Sequence, residues 1–245
     1  MKIPQRGAGV PAIRNRLLAS LPPEEIEHLR PLLTPVSLVF GQVLHERDRR
    51  IEEVFFIEQG VASLTADTLD NGQVEGGLTG REGLVGVSVL LNPHAISVHP
   101  AIIQIPGAAW RMGAAALRQA VERSPALRDR CLRYVQMLMV QTAQSAACNA
   151  RHEVAERLAR WLLMSHDRVD GDELPLTQEF LSLMLGVRRA GVSVAVSTLQ
   201  AGGLISQARG RITVLDRASL EAAACECYRV IRQSGEKILG LPSNL

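Results

Sequence analysis

The chain has 245 residues, of which 47% are hydrophobic and 21% charged, and its formal net charge is +2. This composition excludes a disordered chain and is typical of a globular protein with room for two domains. No apolar run reaches the ~18 residues that a membrane span needs, and the N-terminus lacks the apolar segment of a signal peptide. We therefore expect a cytoplasmic protein with no membrane partner.

The first half of the chain predicts a helical lead-in followed by short strands. Pro22-Pro23 opens a helix over 24–32, and the chain from 35 to about 112 is rich in β-branched residues and glycine. Asn71-Gly72 is the best hairpin turn. Such a series of short strands favours a roll, barrel or sandwich. The candidate strands are Val36–Val39, Val54–Ile57, Val61–Leu64, Leu84–Val89 and Ala101–Ile105.

A long helical region follows from 114 to about 149, with a break near Ser124-Pro125. Its second part carries two apolar stripes, which indicate either a wide buried face within one chain or a helix shared with a second copy. The first stripe is Leu127, Cys131, Tyr134 and Leu138, and the second is Leu132, Val135, Met139, Thr142 and Ala146. Another helix lies in 150–174, before an Asp-rich loop at 166–172 that lacks the ligand spacing of an EF-hand.

Residues 176–215 predict two short helices, a glycine turn between them and a β-hairpin. Thr177 is a good helix N-cap. Gly186 ends the first helix, a second apolar period runs through Val192 and Leu199, and Gly202-Gly203 ends the second helix. A helix pair of this kind can place its second member in the major groove of DNA. The rest of the chain, 219–245, is predicted to be a C-terminal tail that starts as helix.

The same segment is locally basic. Residues 180–211 contain Arg188, Arg189, Arg209 and Arg211 and no acidic residue. Such a cluster is expected where phosphates are neutralised. The alternative is a solvated basic face on an ordinary helical subdomain.

The segment from Thr177-Gln178-Glu179 through Gly186-Val187 and Arg189 to Leu204-Ile205-Ser206 resembles the winged helix–turn–helix of the Crp/Fnr transcription regulators. Upstream, Gly41–Leu44, Val54–Gly60 and Gly83–Gly86 follow the order of that family's sensor roll. The resemblance implies an α+β fold with an N-terminal β-roll of the cyclic-nucleotide-binding type, a long dimerisation helix and a C-terminal winged helix–turn–helix. The implied domains are 1–124, 125–149 and 150–218, followed by the tail 219–245.

The resemblance implies a homodimer that binds double-stranded DNA and works with RNA polymerase, without enzymatic activity. Arg189 matches the position that reads base edges, where arginine can hold guanine with two hydrogen bonds. Ala190 and Val194 fall on the next reading positions and cannot form such bonds, so we expect selection to depend more on DNA shape. The expected DNA-binding residues are Thr177, Gln178, Arg188, Arg189, Ser193, Ser197, Arg209 and Arg211.

The implied effector pocket lies in the roll. Gly86 matches the glycine that turns beside the phosphate in relatives that bind cyclic nucleotides. Their ribose-binding glutamate falls on Val87 and their phosphate-binding arginine falls near Ser97-Val98, so both charged contacts are missing. We therefore expect a degenerate cyclic-nucleotide site with an unknown effector, and the alternative is a regulator that responds to cAMP or cGMP. The expected pocket residues are Gly83, Gly86, Val87, Ser97, Val98 and Thr142.

Other functional classes find little support in the sequence. Four cysteines, Cys131, Cys148, Cys225 and Cys227, are too few and too scattered for a disulfide framework. Cys225 and Cys227 alone cannot supply the four thiolates of an iron–sulfur cluster. A metal-dependent barrel enzyme would need converging histidines and a carboxylate, for which His45-Glu46 and His94 with His99 make no recognised motif. We expect no enzyme activity, no metal site and no resident cofactor.

Overall fold

The computed structural model describes residues 12–67 and 73–240, so the predicted Asn71-Gly72 turn lies outside the described residues. These residues form an antiparallel roll, a long helix and a C-terminal head of short helices with a small sheet. The predicted α+β architecture is confirmed.

The roll follows two short helices, α1 (Arg16–Ala19) and α2 (Pro23–Leu29), the second of which continues into a 3-10 turn at Arg30–Leu32. Its sheet has the order β1-β6-β3-β4, while β2 pairs with β6 and β5 pairs with β3, and all of these pairings are antiparallel. The strands are β1 (Thr34–Leu38), β2 (Val43–His45), β3 (Glu53–Asp67), β4 (Gln73–Thr79), β5 (Leu84–Val85) and β6 (Ala101–Gly113).

The two strands expected at Val54–Ile57 and Val61–Leu64 are one strand of 15 residues, β3. Gly60 does not turn the chain back. It takes a φ of 91°, and the register with β6 shifts around it, as in a β-bulge. A Cβ at Gly60 would lie 2.4 Å from the carbonyl oxygen of Ile105, so the close approach of β6 also requires glycine.

The segment Leu84–Val89, which was predicted as one strand, also differs from the prediction. Only Leu84–Val85 pair as a strand, after which Gly86 takes a φ of 94° and Val87–Leu90 form a 3-10 turn. Because Val87 and Val89 are buried, the apolar run reflects packing under the roll rather than strand pairing.

The long helix begins where the sequence predicted a break. α3 (Ala114–Arg123) ends before Ser124, whose side chain accepts a hydrogen bond from the Leu127 amide and caps α4 (Pro125–Arg151). Proline at the first position of α4 loses no intrahelical hydrogen bond. The first predicted stripe faces the interior, where Leu127, Cys131 and Tyr134 are buried.

The second predicted stripe of α4 is largely open. Leu132 and Met139 are 44% and 68% exposed, Thr142 and Ala146 are exposed as well, and Val135 is half-buried. An apolar stripe of this kind on a 27-residue helix is unusual for a surface that faces only water.

The head starts with α5 (Val154–His166), which is buried along most of its length. Two of the head's helices, α6 (Gln178–Leu185) and α7 (Arg189–Ala201), are bent by 108° relative to each other. A three-stranded sheet, β7 (Glu173–Leu174), β9 (Arg211–Val214) and β8 (Ile205–Ala208), flanks them, and α8 (Arg217–Ala223) follows. Within the described residues, no single helix has the length and apolar character to cross a membrane.

The segment expected to be a tail, 219–245, contains the end of α8 and a second helix, α9 (Cys227–Leu239), which packs on α4. Ile231 and Leu239 are buried, and Arg130 on α4 donates to the carbonyl oxygen of Leu239 at 3.1 Å. The sequence did not predict α9 as a separate amphipathic helix. It contains glycine and lysine, and its apolar positions are few and widely spaced.

The head rests on its own roll through a buried polar contact. Trp161 on α5 donates its indole N–H to Glu75 on β4 at 2.7 Å, and Gln104 and Ser63 donate to the same carboxylate oxygen. Burial raises the pKa of Glu75, against the opposing effect of these hydrogen bonds and of Arg160. Phe180 on α6 packs edge-on against Trp161 and Phe40, so aromatic contacts complete the junction.

Candidate nucleic-acid interface

The angle between α6 and α7 results from the glycine turn between them. Thr177 caps α6 by accepting from the Phe180 amide at 3.1 Å. Gly186 ends α6 in the left-handed region, with a φ of 62°, and the Val187 amide donates back to Ser182. Arg188 then takes an extended conformation, and α7 starts at Arg189. The measured 108° bend lies within the range of helix–turn–helix motifs.

The buried side of this motif holds α7 against α5 and α6. Val192, Ala195, Val196 and Leu199 are buried on one face of α7. Arg189, Val194 and Ser197 are exposed, so the opposite face is left open. The predicted helix–turn–helix geometry is therefore present, with its second helix accessible.

Three arginines lie on this open surface without an acidic partner. Arg188 and Arg189 are exposed at the start of α7, and Arg209 is exposed at the tip of the β8–β9 hairpin. No carboxylate in the described ranges lies within ion-pair distance of any of the three. Unpaired guanidinium groups on one surface are suited to phosphate and guanine contacts.

Arg211 differs from these three. Its guanidinium forms an ion pair with Glu173 on β7 at 2.8 Å, and both side chains are more than half exposed. Glu173 lies outside the acid-free segment 180–211, because β7 precedes that segment in the chain and pairs with β9 in the sheet. An exposed ion pair of this kind is weak, so a phosphate can compete with Glu173 for Arg211. The ion pair nevertheless lowers the contribution that Arg211 can make to phosphate binding.

Hydrogen bonds link the start of α6, helix α7 and the hairpin. Gln178 donates to the side-chain oxygen of Gln207 on β8 at 2.9 Å and accepts from the Ser193 hydroxyl at 2.7 Å. Ser193 also contacts the Arg189 carbonyl at 3.2 Å. Gln178 and Ser193 therefore orient the surface, and their polar atoms are only partly available to DNA.

An open groove of ≈ 400 Å³ lies between these elements. Thr177, Gln178, Arg189 and Arg209 line it, together with three further residues of the hairpin. Of the other predicted DNA-binding residues, Arg188 is exposed just before α7 and Ser197 is exposed on α7, and neither lines the groove. The groove therefore brings together four of the eight predicted residues.

The second candidate site is a cavity of ≈ 610 Å³ between the roll and α4. It brings together five of the predicted pocket residues, and its lining is mainly apolar. Those five are Gly86, Val87, Ser97, Val98 and Thr142. Gly83 lies elsewhere, because it packs so closely on the Tyr134 ring that a Cβ there would be 2.0 Å from it.

The cavity offers little to an anionic phosphate. Among the described residues that line it there is no lysine or arginine. His45 is buried there, its Nε2 lies 2.8 Å from the Glu53 carbonyl oxygen, and burial lowers the pKa of its ring, which favours the neutral form. Arg81 is held outside the cavity by Asp170, at 2.9 Å. The Ser97 hydroxyl is also used locally, since it donates to the His99 carbonyl at 2.7 Å.

One further cluster was not anticipated. Cys148, His152, Cys225 and Cys227 have ligand atoms that all lie within 4.8 Å of one another. The expectation of no metal site is therefore not confirmed. The Cys225-x-Cys227 and Cys148-x3-His152 spacings were the available signal, but nothing in the sequence indicated that the two pairs meet.

Comparison with known proteins agrees with this geometry. A family profile for the Crp-like helix–turn–helix domain matches residues 156–223. A search of the curated proteins found no match. The chain has the fold of the Crp/Fnr regulators and contains a Crp-like helix–turn–helix domain.

Solved structures support the fold over most of the chain. FixK2 from Bradyrhizobium japonicum superimposes with a TM-score of 0.66 at 17% identity, over 79% of this chain and 98% of that protein. A putative Crp/Fnr-family regulator from Eubacterium rectale gives 0.65 at 16%, over 85% and 97%. CLP of Xanthomonas campestris, described as responsive to c-di-GMP, gives 0.62 at 16%, over 78% and 98%. The predicted roll, long helix and helix–turn–helix therefore have the arrangement seen in these proteins.

Proposed function

We propose that the chain is a homodimeric transcription regulator that binds double-stranded DNA with α7 in the major groove. The observation that carries this proposal is the exposed face of α7, where Arg188 and Arg189 have no acidic partner in the described residues, next to Arg209 on the hairpin. The matched domain is a Crp-like helix–turn–helix, which supports DNA as the ligand. In that role the protein works beside the chromosome, in the cytoplasm, and we propose no catalytic activity.

The roles of individual residues follow from their positions. Arg189, at the first turn of α7 and in the groove, reads a base edge. Val194 is 67% exposed on the same helix and offers an apolar contact to a thymine methyl group. Arg188 and Arg209 neutralise backbone phosphates on either side of the groove, Thr177 contributes a hydroxyl beside them, and Ser197 lies on the open face of α7.

The dimer is formed through the second stripe of α4. Met139 and Leu132 are large apolar side chains open to solvent in the single chain, and the exposed Ala143 and Ala146 allow two helices to approach closely. A two-fold axis along this helix pair presents two heads to one face of a duplex. RNA polymerase is the further partner expected for such a regulator.

The roll serves as the platform of this dimer and is not a strong cyclic-nucleotide receptor. The described residues that line its cavity supply no lysine or arginine for a cyclic phosphate, and Val87 takes the position of the expected glutamate. An effector for this cavity would have to be largely apolar, because α4 contributes five mostly apolar side chains to the lining. These are Val135, Leu138, Met139, Thr142 and Ala143.

Selection of bound duplexes from a random pool tests the proposal. We expect a palindromic site whose half-sites are about 34–36 Å, or roughly one helical turn, apart, because each head of the dimer reads one half-site. A single half-site, or no enrichment of any sequence, would contradict a dimeric reader.

A further inference from the structure

Four metal-ligating side chains converge where the long helix meets the head. Cys148 lies in the last turn of α4 and His152 caps its C-terminus, four residues later on the same face. Cys225 lies between α8 and α9, and Cys227 is the first residue of α9. Their ligand atoms lie within 4.8 Å of one another.

We propose that Cys148, His152, Cys225 and Cys227 bind a zinc ion in a tetrahedral Cys3His site. The Cys148 and Cys225 sulfurs are 3.4 Å apart, and Cys227 Sγ is 3.5 Å from His152 Nδ1. A tetrahedral zinc ion with Zn–S bonds of ~2.3 Å holds its thiolate sulfurs about 3.8 Å apart. The side chains therefore need only small shifts to enclose one ion.

The distances distinguish between metal centres. An iron–sulfur cluster distributes its four protein ligands over two or more iron atoms, so some of its ligand atoms lie farther apart than the 4.8 Å within which all four lie here. A calcium or magnesium ion would require oxygen ligands, of which the cluster has none. Three thiolates and one imidazole around a single centre are the ligand set of structural zinc sites.

The neighbours of the ligands are also those of a metal site. Glu226 Oε2 lies 3.1 Å from His152 Nε2, so this nitrogen is placed to donate to the carboxylate while Nδ1 faces Cys227. A carboxylate behind a ligating histidine fixes the ring and its tautomer in this way. Gln144 on α4 donates to Cys227 Sγ at 3.1 Å, which stabilises a thiolate.

Two buried arginines balance the charge of the site. Arg157 and Arg160 on α5 are 7% and 3% exposed, and in the described ranges neither forms an ion pair with a carboxylate within 4 Å. The Nε atoms of both lack a hydrogen-bond partner there. A zinc ion with three thiolates carries a net charge of −1, which such buried cations favour. Both arginines lie close enough to Cys148 to interact with it electrostatically.

The position of the site suggests what the ion does. The matched helix–turn–helix domain spans 156–223. Cys148 and His152 precede it, and Cys225 and Cys227 follow it. The ion therefore joins the two ends of the head to each other and to the end of α4, and it limits rotation of the head on the long helix. Metal binding itself does not depend on the proposed function.

Metal content of the full chain tests this site. The protein is purified under reducing conditions from zinc-supplemented cells, and its metals are measured by mass spectrometry. We expect about one zinc ion per chain in the wild type and at least about tenfold less in Cys227→Ser. Cys131→Ala is the matched control, because Cys131 is a buried cysteine of α4 outside the cluster and should leave the zinc content unchanged.

A second variant keeps the test valid if Cys227→Ser fails to fold. Glu226 is 58% exposed, so Glu226→Gln should fold normally. We expect it to weaken zinc affinity by about 10–100-fold in competition with a chromophoric chelator, because the histidine loses its orienting partner. Glu236→Gln, within α9, should not change the affinity.

Titration of the metal-free chain with Co2+ identifies the ligands. We expect the absorption of tetrahedral, thiolate-bound cobalt in the wild type and in Cys131→Ala, and its loss in Cys148→Ser. A wild-type protein that carries no stoichiometric zinc and gives no such spectrum would overturn the proposal, as would an iron–sulfur spectrum or a Cys148–Cys225 disulfide under the same reducing conditions. Each of these results can be obtained while DNA binding is intact, so the two proposals fail separately.

Discussion

The head and the roll both present a concave surface beside a helix, but they differ in charge. The groove of the head is lined by Arg189 and Arg209, which have no acidic partner in the described residues. The larger cavity of the roll lies against α4 and has no lysine or arginine among its described lining residues. Both regions belong to the same fold, so the fold alone does not determine the ligand. The charged side chains determine the ligand, and in the described residues they favour an anionic ligand in the head and not in the cavity of the roll.

The largest effect is expected from separating the two heads. We expect Met139→Glu to place a charge in the apolar stripe of α4, to give a monomer and to lower affinity for a two-half-site duplex by about 10²–10⁴-fold through lost bivalency. Sedimentation and a binding titration measure both effects. Val230→Glu, at an exposed apolar position on α9, is the control and should remain dimeric and bind normally. A Met139→Glu protein that is still a dimer would show that another surface joins the chains.

A smaller effect is expected from removing one base contact from the head. We expect Arg189→Ala to reduce binding to the selected site by about 1–3 kcal/mol and to affect random duplex much less, because a base contact is lost. Arg211→Ala is the matched control for Arg189→Ala. Arg211 is already paired with Glu173, so its loss should be smaller and equal on both duplexes. Equal losses on both duplexes for Arg189→Ala would mean that Arg189 contacts only phosphate.

The junction between the regions gives a pH-dependent prediction. Burial raises the pKa of Glu75 in the folded chain above its value in the unfolded chain. Between these two values the folded state binds more protons, so this carboxyl makes the free energy of unfolding fall as the pH rises. Glu75→Gln keeps an oxygen that can accept from Trp161 but cannot ionise. We expect its melting temperature to fall less than that of the wild type when the pH is raised from about 4.5 towards neutrality.

Thermal melts of the two proteins at several pH values measure this difference. Glu82→Gln is a suitable comparison, since Glu82 pairs with Arg168 and should not reproduce the effect. A Glu75→Gln protein whose stability falls as steeply as that of the wild type would assign the pH dependence to other groups.

The smallest effect is expected in the roll itself. Calorimetry with cAMP and cGMP should give no saturable heat at micromolar ligand, because the described residues that line the cavity include no lysine or arginine for the phosphate and burial lowers the pKa of His45. Clear saturation in that range would support the alternative of a regulator that responds to a cyclic nucleotide.

The sequence predicted the elements whose signals are local. The α6–α7 pair was predictable because Thr177 and Gly186 mark the helix ends and Val192 to Leu199 keep a helical period. The break at Ser124-Pro125 was predictable for the same reason. Strand β3 was divided in error because Gly60 resembles a turn, whereas it forms a bulge that depends on the partner strand β6.

The sites were harder to predict, because they depend on contacts between distant segments. Glu173 pairs with Arg211 across 38 positions, and Cys148 meets Cys225 across 77. No periodicity or motif length reveals such contacts. The cavity residues Gly86 and Thr142 were found only through resemblance, and Gly83 shows the limit of that approach, since it packs on Tyr134 instead of lining the cavity.

The most direct test of the central claim is the salt dependence of DNA binding by the full chain. Affinity for a duplex is measured over a range of salt concentrations, with the selected site and with random DNA. We expect log K to fall linearly with log salt, with a slope of about −0.9 for each phosphate neutralised, and a flatter slope for a variant in which Arg188 and Arg209 are replaced by alanine. A folded wild-type protein whose affinity for every duplex is negligible or independent of salt would contradict the account.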